Sequence, residues 1–504
     1  MLAQGEIPYR GTFELTRSLP CIGARHSYAR LLMVRDWRDD RIDELERENA
    51  QLRALVLKQQ GIIEALERRV RELEARLAQF SGNSSKPPST DPPGAPPPTR
   101  PKRKGRKRGG QPGHKKHTRE LVPPAQVTRL QVLKPCACRK CGKALVGSDP
   151  DPYRHQVMDV PKVVATVDEY QLHALSCTVC KTSTRAPLPA GVPTGQFGPR
   201  LQAIVAVCSG DYRLSKREIE LLVEDVFGIS ISLGSIANLE QAASEAIATP
   251  VDEAAKAFLK QPVVHADETG WYERSRRAWL WGAVSSSLAI FLVRATRCSK
   301  VAKELLGEAF AGILITDRWS AYSWVDVLRR QLCWAHLLRQ FIGFQDHGDE
   351  EAAIGRALEL LAEAMFHLWH RVRDGTLSRT AFQKRMASLR VHVVARLQEG
   401  TVCSSGLVSG RCREILTLEP ALWTFVSVEG VEPTNNFAER ILRQGVLWRK
   451  GSFGTDSPKG SRFVERILTV VTTLRLQKRN VLDYMTAACE AALHGTTPPS
   501  LLPA

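Results

Sequence analysis

Three acidic residues stand where the sequence favours a site for divalent metal: Asp267, Asp317 and Glu439. The two aspartates end apolar, β-branched runs at 263–267 and 313–317, which predict buried strands. The glutamate lies instead in a segment with helical spacing. Two strand-end aspartates and a helical glutamate can converge at one edge of a sheet, so the pattern predicts a shared site.

These residue types suit phosphoryl transfer, because Mg²⁺ takes carboxylate oxygens and keeps waters that a substrate phosphate can replace. Two such ions roughly 3.5–4 Å apart would stabilise both the attacking and the leaving oxygen. A lone strand-end aspartate is more often a turn or helix-cap residue, but the paired strand ends favour the metal site here. Glu268 is adjacent to Asp267. Because neighbouring strand residues point to opposite faces, it is the weaker candidate.

The segments around these residues predict a multidomain α/β protein. Strands are predicted near 262–267, 278–285, 288–294 and 312–317, with a helix at 299–309. Residues 350–425 are rich in Ala, Leu and Glu with helical periodicity, broken at Gly400, at 404–406 and at Gly410. They predict an all-helical insertion between the second aspartate and the glutamate.

Four cations follow the glutamate: Arg440, Arg443, Arg449 and Lys450. The first two continue its helical spacing, and a short turn is predicted before the last two. Cations at these positions would bind DNA through its phosphate groups. A solvated cationic face is the alternative.

A Cys-x₂-His pair, Cys333 and His336, begins a further predicted helix. The apolar Leu337, Leu338 and Phe341 on the same helix favour burial. The preferred interpretation is a buried cysteine and a hydrogen-bonded histidine on a core helix. Direct contact with the substrate is the alternative.

The composition indicates a protein that binds a polyanion. Its 71 Lys and Arg against 53 Asp and Glu leave a net charge of +18, which favours nucleic acid as a partner. No apolar stretch approaches the roughly 20 residues of a membrane-spanning helix, and residues 1–32 lack the features of a signal peptide. We therefore expect a cytoplasmic protein without membrane association. Its 504 residues predict three or four folding units, preceded by a disordered extension at 1–37.

A heptad pattern over 38–80 predicts a leucine zipper. The a positions are Ile42, Asn49, Val56, Ile63, Val70 and Leu77, and the d positions are Leu45, Leu52, Gln59, Leu66, Leu73 and Phe80. β-Branched residues at a with leucine at d favour a parallel homodimer through residues 42–80, and one buried asparagine fixes the register. A helix docked on its own chain is the alternative.

A Pro-rich and basic linker is predicted at 81–121. Its prolines and few apolar groups cannot build a core. Seven of the nine residues at 100–108 are cationic, which fits phosphate contact without base reading. The DNA-binding candidates in this run are Arg103, Lys104, Arg106 and Lys107. A tail that only adds solubility is the alternative.

Two Cys-x₂-Cys pairs predict a zinc-binding domain at 122–195. The four candidate ligands are Cys138, Cys141, Cys177 and Cys180, with 35 residues between the pairs. Four thiolates close a structural Zn²⁺ site and leave no open position. Alternating apolar residues at 160–170 predict strands that bring the pairs together. Buried cysteines without metal, or a vestigial site, are the alternatives, and Cys136 is a possible substitute for Cys138.

Helical spacing resumes at 196–260. Ser215 and Glu218 have the spacing of a capping box at a helix start. A helix-turn-helix that binds DNA and an ordinary helical hairpin fit this pattern equally well. Residues 481–504 are expected to form a C-terminal tail.

The order of motifs resembles the DDE transposases of bacterial insertion sequences, of the insertion-sequence-sixty-six type. After the zipper come Ser-Ser-Lys-Pro-Pro at 84–88, Gly-Gly-Gln-Pro-Gly-His at 109–114, the cysteine pairs, Ala-Asp-Glu-Thr-Gly-Trp at 266–271, Thr-Asp-Arg-Trp-Ser-Ala-Tyr at 316–322, Cys-Trp-Ala-His-Leu-Leu-Arg at 333–339 and Asn-Asn-Phe-Ala-Glu-Arg at 435–440. The family has an aspartate before the Asn-Asn pair, where this chain has Thr434.

The resemblance implies a ribonuclease-H-like catalytic domain at 261–480, with its helical insertion at about 350–425 beside the active site. It implies Asp267, Asp317 and Glu439 as ligands of Mg²⁺ or Mn²⁺ in a bacterial, nucleoid-associated enzyme. Such an enzyme binds the terminal inverted repeats of its element, cleaves DNA and joins it to target DNA, in some elements with accessory proteins. A non-catalytic DNA-binding protein derived from a transposase is the alternative.

Overall fold

The computed structural model describes residues 37–77 and 119–503. Residues 1–36 of the predicted extension at 1–37 and most of the predicted linker lie outside the described residues, whereas Trp37 begins a helix. So do Phe80 and the four basic candidates at 103–107. The chain separates into two units, Met1–Glu74 and Ala75–Ala504, which are described by themselves.

The described residues of the first unit belong to one long helix, α1 (Trp37–Leu77), which continues through Gly61 without a break. The apolar residues of the predicted zipper line it with 42–60% of their surface exposed: Ile42, Leu45, Leu52, Val56, Ile63, Leu66, Val70 and Leu73. Helices of globular proteins gain most of their stability from burying an apolar face. The exposed stripe is therefore a surface suited to a partner helix.

Residues 119–195 contain little regular structure. A 3₁₀ turn at Pro124–Gln126 is followed by one antiparallel hairpin, β1 (Ala174–Ser176) and β2 (Ser183–Arg185). The prediction of strands at 160–170 is wrong, because this segment has no strand and its apolar side chains are exposed. Alternation of apolar residues stabilises a strand only where a neighbouring strand and a core are present.

Four helices follow, as predicted for 196–260: α2 (Pro199–Gly210), α3 (Lys216–Phe227), α4 (Leu233–Ala246) and α5 (Ala248–Phe258). The capping box is confirmed: Ser215 Oγ accepts from the Glu218 amide at 3.3 Å, and the Ser215 amide donates to Glu218 Oε2 at 2.7 Å. A small apolar cluster that includes Val205, Ile219 and Ile236 joins α2, α3 and α4.

A mixed five-stranded sheet follows these helices. Its strands are β3 (Val263–Glu273), β4 (Arg276–Val284), β5 (Ala289–Arg294), β6 (Ile313–Thr316) and β7 (Arg330–Leu332), with helix α6 (Ser299–Leu306) between β5 and β6. The strand order is β5-β4-β3-β6-β7, with β3, β4 and β5 antiparallel and with β6 and β7 parallel to β3. The four predicted strands and the helix are confirmed, whereas β7 was not predicted.

Strand β3 runs six residues beyond Asp267, where the sequence predicts its end. The extension exists because β3 pairs with β4 along its far half, up to Glu273 opposite Arg276. Its parallel pairing with β6 stops earlier, at His265 opposite Ile315. The aspartate therefore still lies just past the parallel part of the sheet.

Helices fill the segment between β7 and the glutamate. They are α7 (Trp334–Phe344), α8 (Asp349–Arg373), α9 (Arg379–Gly400), α10 (Gly406–Thr417) and the short α11 (Thr424–Ser427). Trp369, Phe382 and Phe425 contact one another in the core of this insertion. The break predicted at Gly410 is wrong, since that residue lies inside α10.

Three further helices complete the chain: α12 (Asn436–Ser452), α13 (Pro458–Leu476) and α14 (Val481–His494). Arg449 and Lys450 belong to α12, so the turn predicted before them is wrong. Gly445 allows this uninterrupted helix to pack on β4, because a Cβ there would lie 2.2 Å from Leu280 Cδ2.

The C-terminal residues differ from the predicted tail. Val481, Tyr484, Met485 and Ala488 repeat with helical spacing and are buried in the main apolar core, together with residues of α2 and α13. This helical periodicity was overlooked in the sequence. Among the described residues, no helix is long and apolar enough to span a membrane.

Helix α13 covers the edge of the sheet at β5. Glu465, Thr469 and Thr473 lie one turn apart on this helix, as expected for i, i+4 spacing. Thr473 Oγ1 accepts from the Ala289 amide at 3.0 Å and Thr469 Oγ1 accepts from the Phe291 amide at 3.1 Å, while Glu465 Oε1 accepts from the Val293 amide at 2.6 Å. These side chains satisfy amides that would otherwise pair with another strand.

Candidate active site

The two predicted aspartates lie on neighbouring strands of the sheet. Asp267 is in β3, and Asp317 follows β6 directly. Each carboxylate is oriented by a local hydrogen bond of 2.9 Å: Asp267 Oδ1 accepts from the Glu268 amide, and Asp317 Oδ1 accepts from the Trp319 amide. Both side chains are half-buried.

Glu439 joins the aspartates from the first turn of α12. Burial raises the pKa of Asp267 well above its ordinary value, and the charges of Glu268, Asp317 and Glu439 raise it further. Burial also raises the pKa of Glu439, and the charge of Asp317 adds to this effect while Arg339 opposes it. Carboxylates crowded in this way favour a bound cation or proton.

The three carboxylates share an electrostatic environment, but they are not gathered into one close group. Across residues 37–77 and 119–503, their oxygen atoms do not form a group with all separations within 4.8 Å. Their donor set, three hard oxygens on rigid elements, suits Mg²⁺ or Mn²⁺.

Asn435 fixes the position of α12 and thereby of Glu439. This residue is fully buried and immediately precedes the helix. Its Nδ2 donates to the Ala266 carbonyl at 2.8 Å, next to the first aspartate, and its amide donates to Cys333 Sγ at 3.1 Å. The motif was recognised in the sequence, but this positioning role of its first asparagine was missed.

Glu268 lies on the other side of the site, in a fully paired network. Its Oε1 binds Arg297 Nη2 at 2.5 Å, and its Oε2 accepts from the Tyr322 hydroxyl at 2.6 Å. The Arg297 guanidinium also stacks 3.9 Å above the centre of the Trp319 ring. Burial and the charge of Asp317 raise the pKa of Glu268, whereas Arg297 and Tyr322 lower it. Arg297 and Tyr322 were not selected from the sequence.

Cys333 and His336 approach Glu439 from α7. Cys333 is buried, as predicted. His336 Nδ1 is buried and has no hydrogen-bond partner in the described part of the chain, so this atom does not make the predicted hydrogen bond. It lies 3.5 Å from Glu439 Oε1, which is buried and unpaired as well. Burial, Arg339 and Arg318 lower the pKa of His336 to about 3, so the imidazole is neutral.

A model of a known family covers the segments that carry the three carboxylates. The model of the Transposase IS66 family matches residues 194–462, which is more than half of the 504 residues and includes all three carboxylates. The chain belongs to the IS66 family of transposases. A second family model, DUF6444, a family of unknown function, matches residues 35–120.

Two proteins of Sinorhizobium fredii (strain NBRC 101917 / NGR234) are similar to this IS66-family chain. The uncharacterized protein y4qI is 26% identical over 421 residues, which cover 75% of this chain and 73% of y4qI. The uncharacterized protein y4hP is 21% identical over 389 residues, which cover 69% of each chain.

The two cysteine pairs of the IS66-family chain have the same loop structure. In each, the amide of the first cysteine donates to the carbonyl five residues on: Cys138 to Lys143 at 2.8 Å and Cys177 to Thr182 at 2.9 Å. In each, the residue four positions after that cysteine has positive φ, 70° at Gly142 and 61° at Lys181.

The four thiols are not gathered into one cluster, since no three of them lie within 4.8 Å of one another in the described ranges. Hydrogen bonds from Thr182, with a smaller contribution from Cys177, lower the pKa of Cys180 to about 7. Hydrogen bonds from Cys141 and Lys140 lower the pKa of Cys138. These effects favour the thiolate form that metal binding requires, and the zinc site stays a prediction.

The basic candidates of α12 differ in their surroundings. Arg440, Arg443 and Lys450 are exposed. Arg449 is half-buried, and its Nη1 donates to the Gly270 carbonyl of β3. Arg449 therefore helps to hold α12 on the sheet, and the three exposed cations are better placed for phosphate contact.

Proposed function

We propose that this protein is a DNA transposase that cleaves DNA at the terminal inverted repeats of its element and joins the ends to target DNA. The carrying observation is that Asp267, Asp317 and Glu439 come from three separate segments, yet, in addition to burial, the charges of Asp317 and Glu439 both raise the pKa of the half-buried Asp267 carboxyl group. Their place inside the family match supports the same assignment.

We infer as well that the sheet is a ribonuclease-H-like core. The support is the order of three antiparallel strands followed by two parallel ones, with an aspartate on β3 and another after β6. The helical insertion between β7 and α12 fits the arrangement expected from the family resemblance.

The carboxylates of Asp267, Asp317 and Glu439 would hold Mg²⁺ or Mn²⁺. When bound, such ions supply charge stabilisation for the attacking and leaving oxygens of a phosphodiester. The chain itself positions the ligands: β3 and β6 hold the aspartates, and Asn435 holds the start of the helix that carries Glu439. Exposed Arg440, Arg443 and Lys450 would bind the DNA phosphates.

The proposal extends to assembly and to DNA binding outside the site. Two copies would pair in parallel through α1, since eight apolar zipper residues of this helix are exposed. A structural Zn²⁺ held by Cys138, Cys141, Cys177 and Cys180 is supported by the matching loops of the two pairs. The basic run at 100–108 would add sequence-independent phosphate contacts in the bacterial cytoplasm.

A strand-transfer assay tests the proposed function directly. Oligonucleotides with the element's own ends are incubated with Mg²⁺ or Mn²⁺ and target DNA, and the wild type is compared with Asp317→Ala. Asp483→Ala is the control, because Asp483 is exposed on α14. Joined products are expected with the wild type and the control only.

Other outcomes point to the alternatives. Cleavage without joining would indicate a metal-dependent nuclease. Binding without cleavage, even after addition of the other proteins encoded by the element, would indicate a DNA-binding relic. Equal joining by Asp317→Ala would overturn the assignment of the site.

A further inference from the structure

A second group of potential metal ligands borders the proposed catalytic site. Cys333 Sγ, a ring nitrogen of His336 and a carboxylate oxygen of Glu439 all lie within 4.8 Å of one another. Cys333 and His336 come from the start of α7, and Glu439 comes from the first turn of α12. Within residues 37–77 and 119–503, no other three His, Cys, Asp or Glu side chains meet this distance.

Two of these atoms are polar and buried but lack a hydrogen-bond partner in the described residues: His336 Nδ1 and Glu439 Oε1. They are 3.5 Å apart, longer than the roughly 2.7–3.2 Å of a hydrogen bond. Bonds of about 2.1 Å to a tetrahedral ion would place neighbouring ligand atoms about 3.4 Å apart. The separation therefore fits two ligands of one ion better than it fits a hydrogen-bonded pair.

The surroundings of Cys333 suit a metal-bound thiolate. The residue directly precedes α7, and its Sγ accepts from the Asn435 amide at 3.1 Å. A metal-bound thiolate would keep this amide hydrogen bond, and the bound cation would balance the charge of Glu439.

We propose that Cys333, His336 and Glu439 bind one transition-metal ion of the Zn²⁺ class, separate from the carboxylate-bound Mg²⁺ or Mn²⁺. A thiolate and an imidazole select such ions, whereas Mg²⁺ prefers oxygen ligands. Three protein ligands leave a fourth position open for water or substrate. Because Glu439 has two carboxylate oxygens, it can bind this ion through Oε1 and still face Asp267 and Asp317. The proposal does not depend on the proposed function, since the ion is measured without DNA.

Metal content of the full-length protein tests the proposal. Protein loaded with Zn²⁺ and dialysed against buffer with Mg²⁺ is analysed by mass spectrometry for ions per chain. Cys333→Ala and His336→Ala are each expected to hold one ion fewer than the wild type. Cys489→Ala is the matched control, because Cys489 is also buried but belongs to no such group. Equal zinc in the wild type and both variants would overturn the proposal.

Two further variants separate this ion from the others proposed. Asp267→Asn is expected to keep it, and its loss there would place the ion at the carboxylate site instead. The fourfold variant Cys138→Ser, Cys141→Ser, Cys177→Ser and Cys180→Ser is expected to keep one ion, and loss of all zinc would contradict the site. Either result stands whether or not the protein transfers DNA strands.

Spectroscopy provides a test if Cys333→Ala does not fold. Co²⁺ bound to the fourfold cysteine variant is expected to show the visible absorption of a tetrahedral ion with one thiolate. His336→Cys adds a second thiolate to the proposed ligands, so it is expected to keep the ion and strengthen the sulfur-to-metal absorption. An unchanged spectrum after His336→Cys would overturn the assignment.

Discussion

The buried polar atoms on two sides of the candidate active site differ in whether they have hydrogen-bond partners. On one side, both carboxylate oxygens of Glu268 are bound, by Arg297 and by Tyr322. On the other side, Glu439 Oε1 and His336 Nδ1 are buried and have no hydrogen-bond partner in the described part of the chain. Burial raises the pKa of both glutamates, so desolvation alone does not distinguish the two sides.

This difference distinguishes residues that stabilise the site from residues that bind a ligand. A fully paired network fixes side chains and makes their removal costly. Buried groups without partners destabilise the fold and persist where a ligand uses them. We therefore assign Glu268 to the framework of the site and Glu439 to ligand binding, although both are acidic residues within conspicuous sequence motifs.

The largest expected effect is on strand transfer by Asp267→Asn. Loss of a metal ligand removes several kcal/mol of charge stabilisation, which at about 1.4 kcal/mol per tenfold corresponds to a loss of about 1,000-fold or more. Binding to the terminal repeats should change little, because the amide keeps the shape of the carboxylate. Transfer and gel-shift assays on the same preparation measure both, and wild-type transfer rates from the variant would remove Asp267 from the site.

Removing a partner of Glu268 is expected chiefly to reduce the stability of the protein. Arg297→Ala leaves Glu268 buried without its cation and is expected to lower the free energy of unfolding by about 3 kcal/mol at pH 7. The loss should shrink at acidic pH, where Glu268 becomes protonated. Chemical denaturation measures it. The double variant with Glu268→Gln should recover part of the loss, and no recovery would contradict the pairing as its cause.

Tyr322→Phe tests the second contact of the same network. Removing a hydrogen bond to a charged group should lower the free energy of unfolding by about 2 kcal/mol. Tyr272→Phe is the control, since Tyr272 is exposed on β3. Equal stability of the two variants would show that the Tyr322 hydroxyl does not hold Glu268.

Asp267→Asn should also make the metal-free protein more stable at neutral pH. Burial raises the pKa values of Asp267 and Glu439, so their contribution to stability is fully present below the ordinary carboxyl pKa of about 4. It is lost as pH rises through the raised values. The variant removes the unfavourable contribution of Asp267, so the melting temperature is expected to rise by about 2 °C for each kcal/mol gained at pH 7. The gain should disappear towards pH 4, and a variant less stable than the wild type at pH 7 would contradict this account.

The smallest expected effect is that of His336→Leu in metal-free protein. The substitution replaces the ring, whose Nδ1 has no partner in the described residues, by an apolar side chain of similar volume, so stability should change by less than about 1 kcal/mol. The same substitution should lower stability clearly after loading with Zn²⁺. Thermal unfolding measures the stability of the variant with and without the ion. A large loss of stability without metal would show that His336 is held by hydrogen bonds, as Glu268 is.

Sequence patterns predicted those parts of the site that depend on a single segment of the chain. Hydrophobic runs gave the four strands, the positions of Asp267 and Asp317 and the helix of Glu439. Contacts between distant segments were not predictable in this way: Arg297 and Tyr322 lie 29 and 54 residues from Glu268. The role of Asn435 likewise depends on β3, which lies 169 residues earlier.

The wrong predictions have physical causes as well. The segment at 160–170 has strand-like alternation, but no neighbouring strand stabilises it. Gly410 was predicted to break the helical periodicity, yet α10 continues through it, with Val408, Cys412 and Ile415 buried. The prediction of a C-terminal tail is wrong because Val481, Tyr484, Met485 and Ala488 repeat with helical spacing and pack into the main apolar core.

Helix α13 also protects the β5 edge of the sheet from pairing with a strand of another molecule. Sheets with open edges add strands from other molecules and fuse into aggregates. Here the amides of Ala289, Phe291 and Val293 are already bound by Thr473, Thr469 and Glu465. Copies of this chain can therefore come close together without their sheets joining at β5.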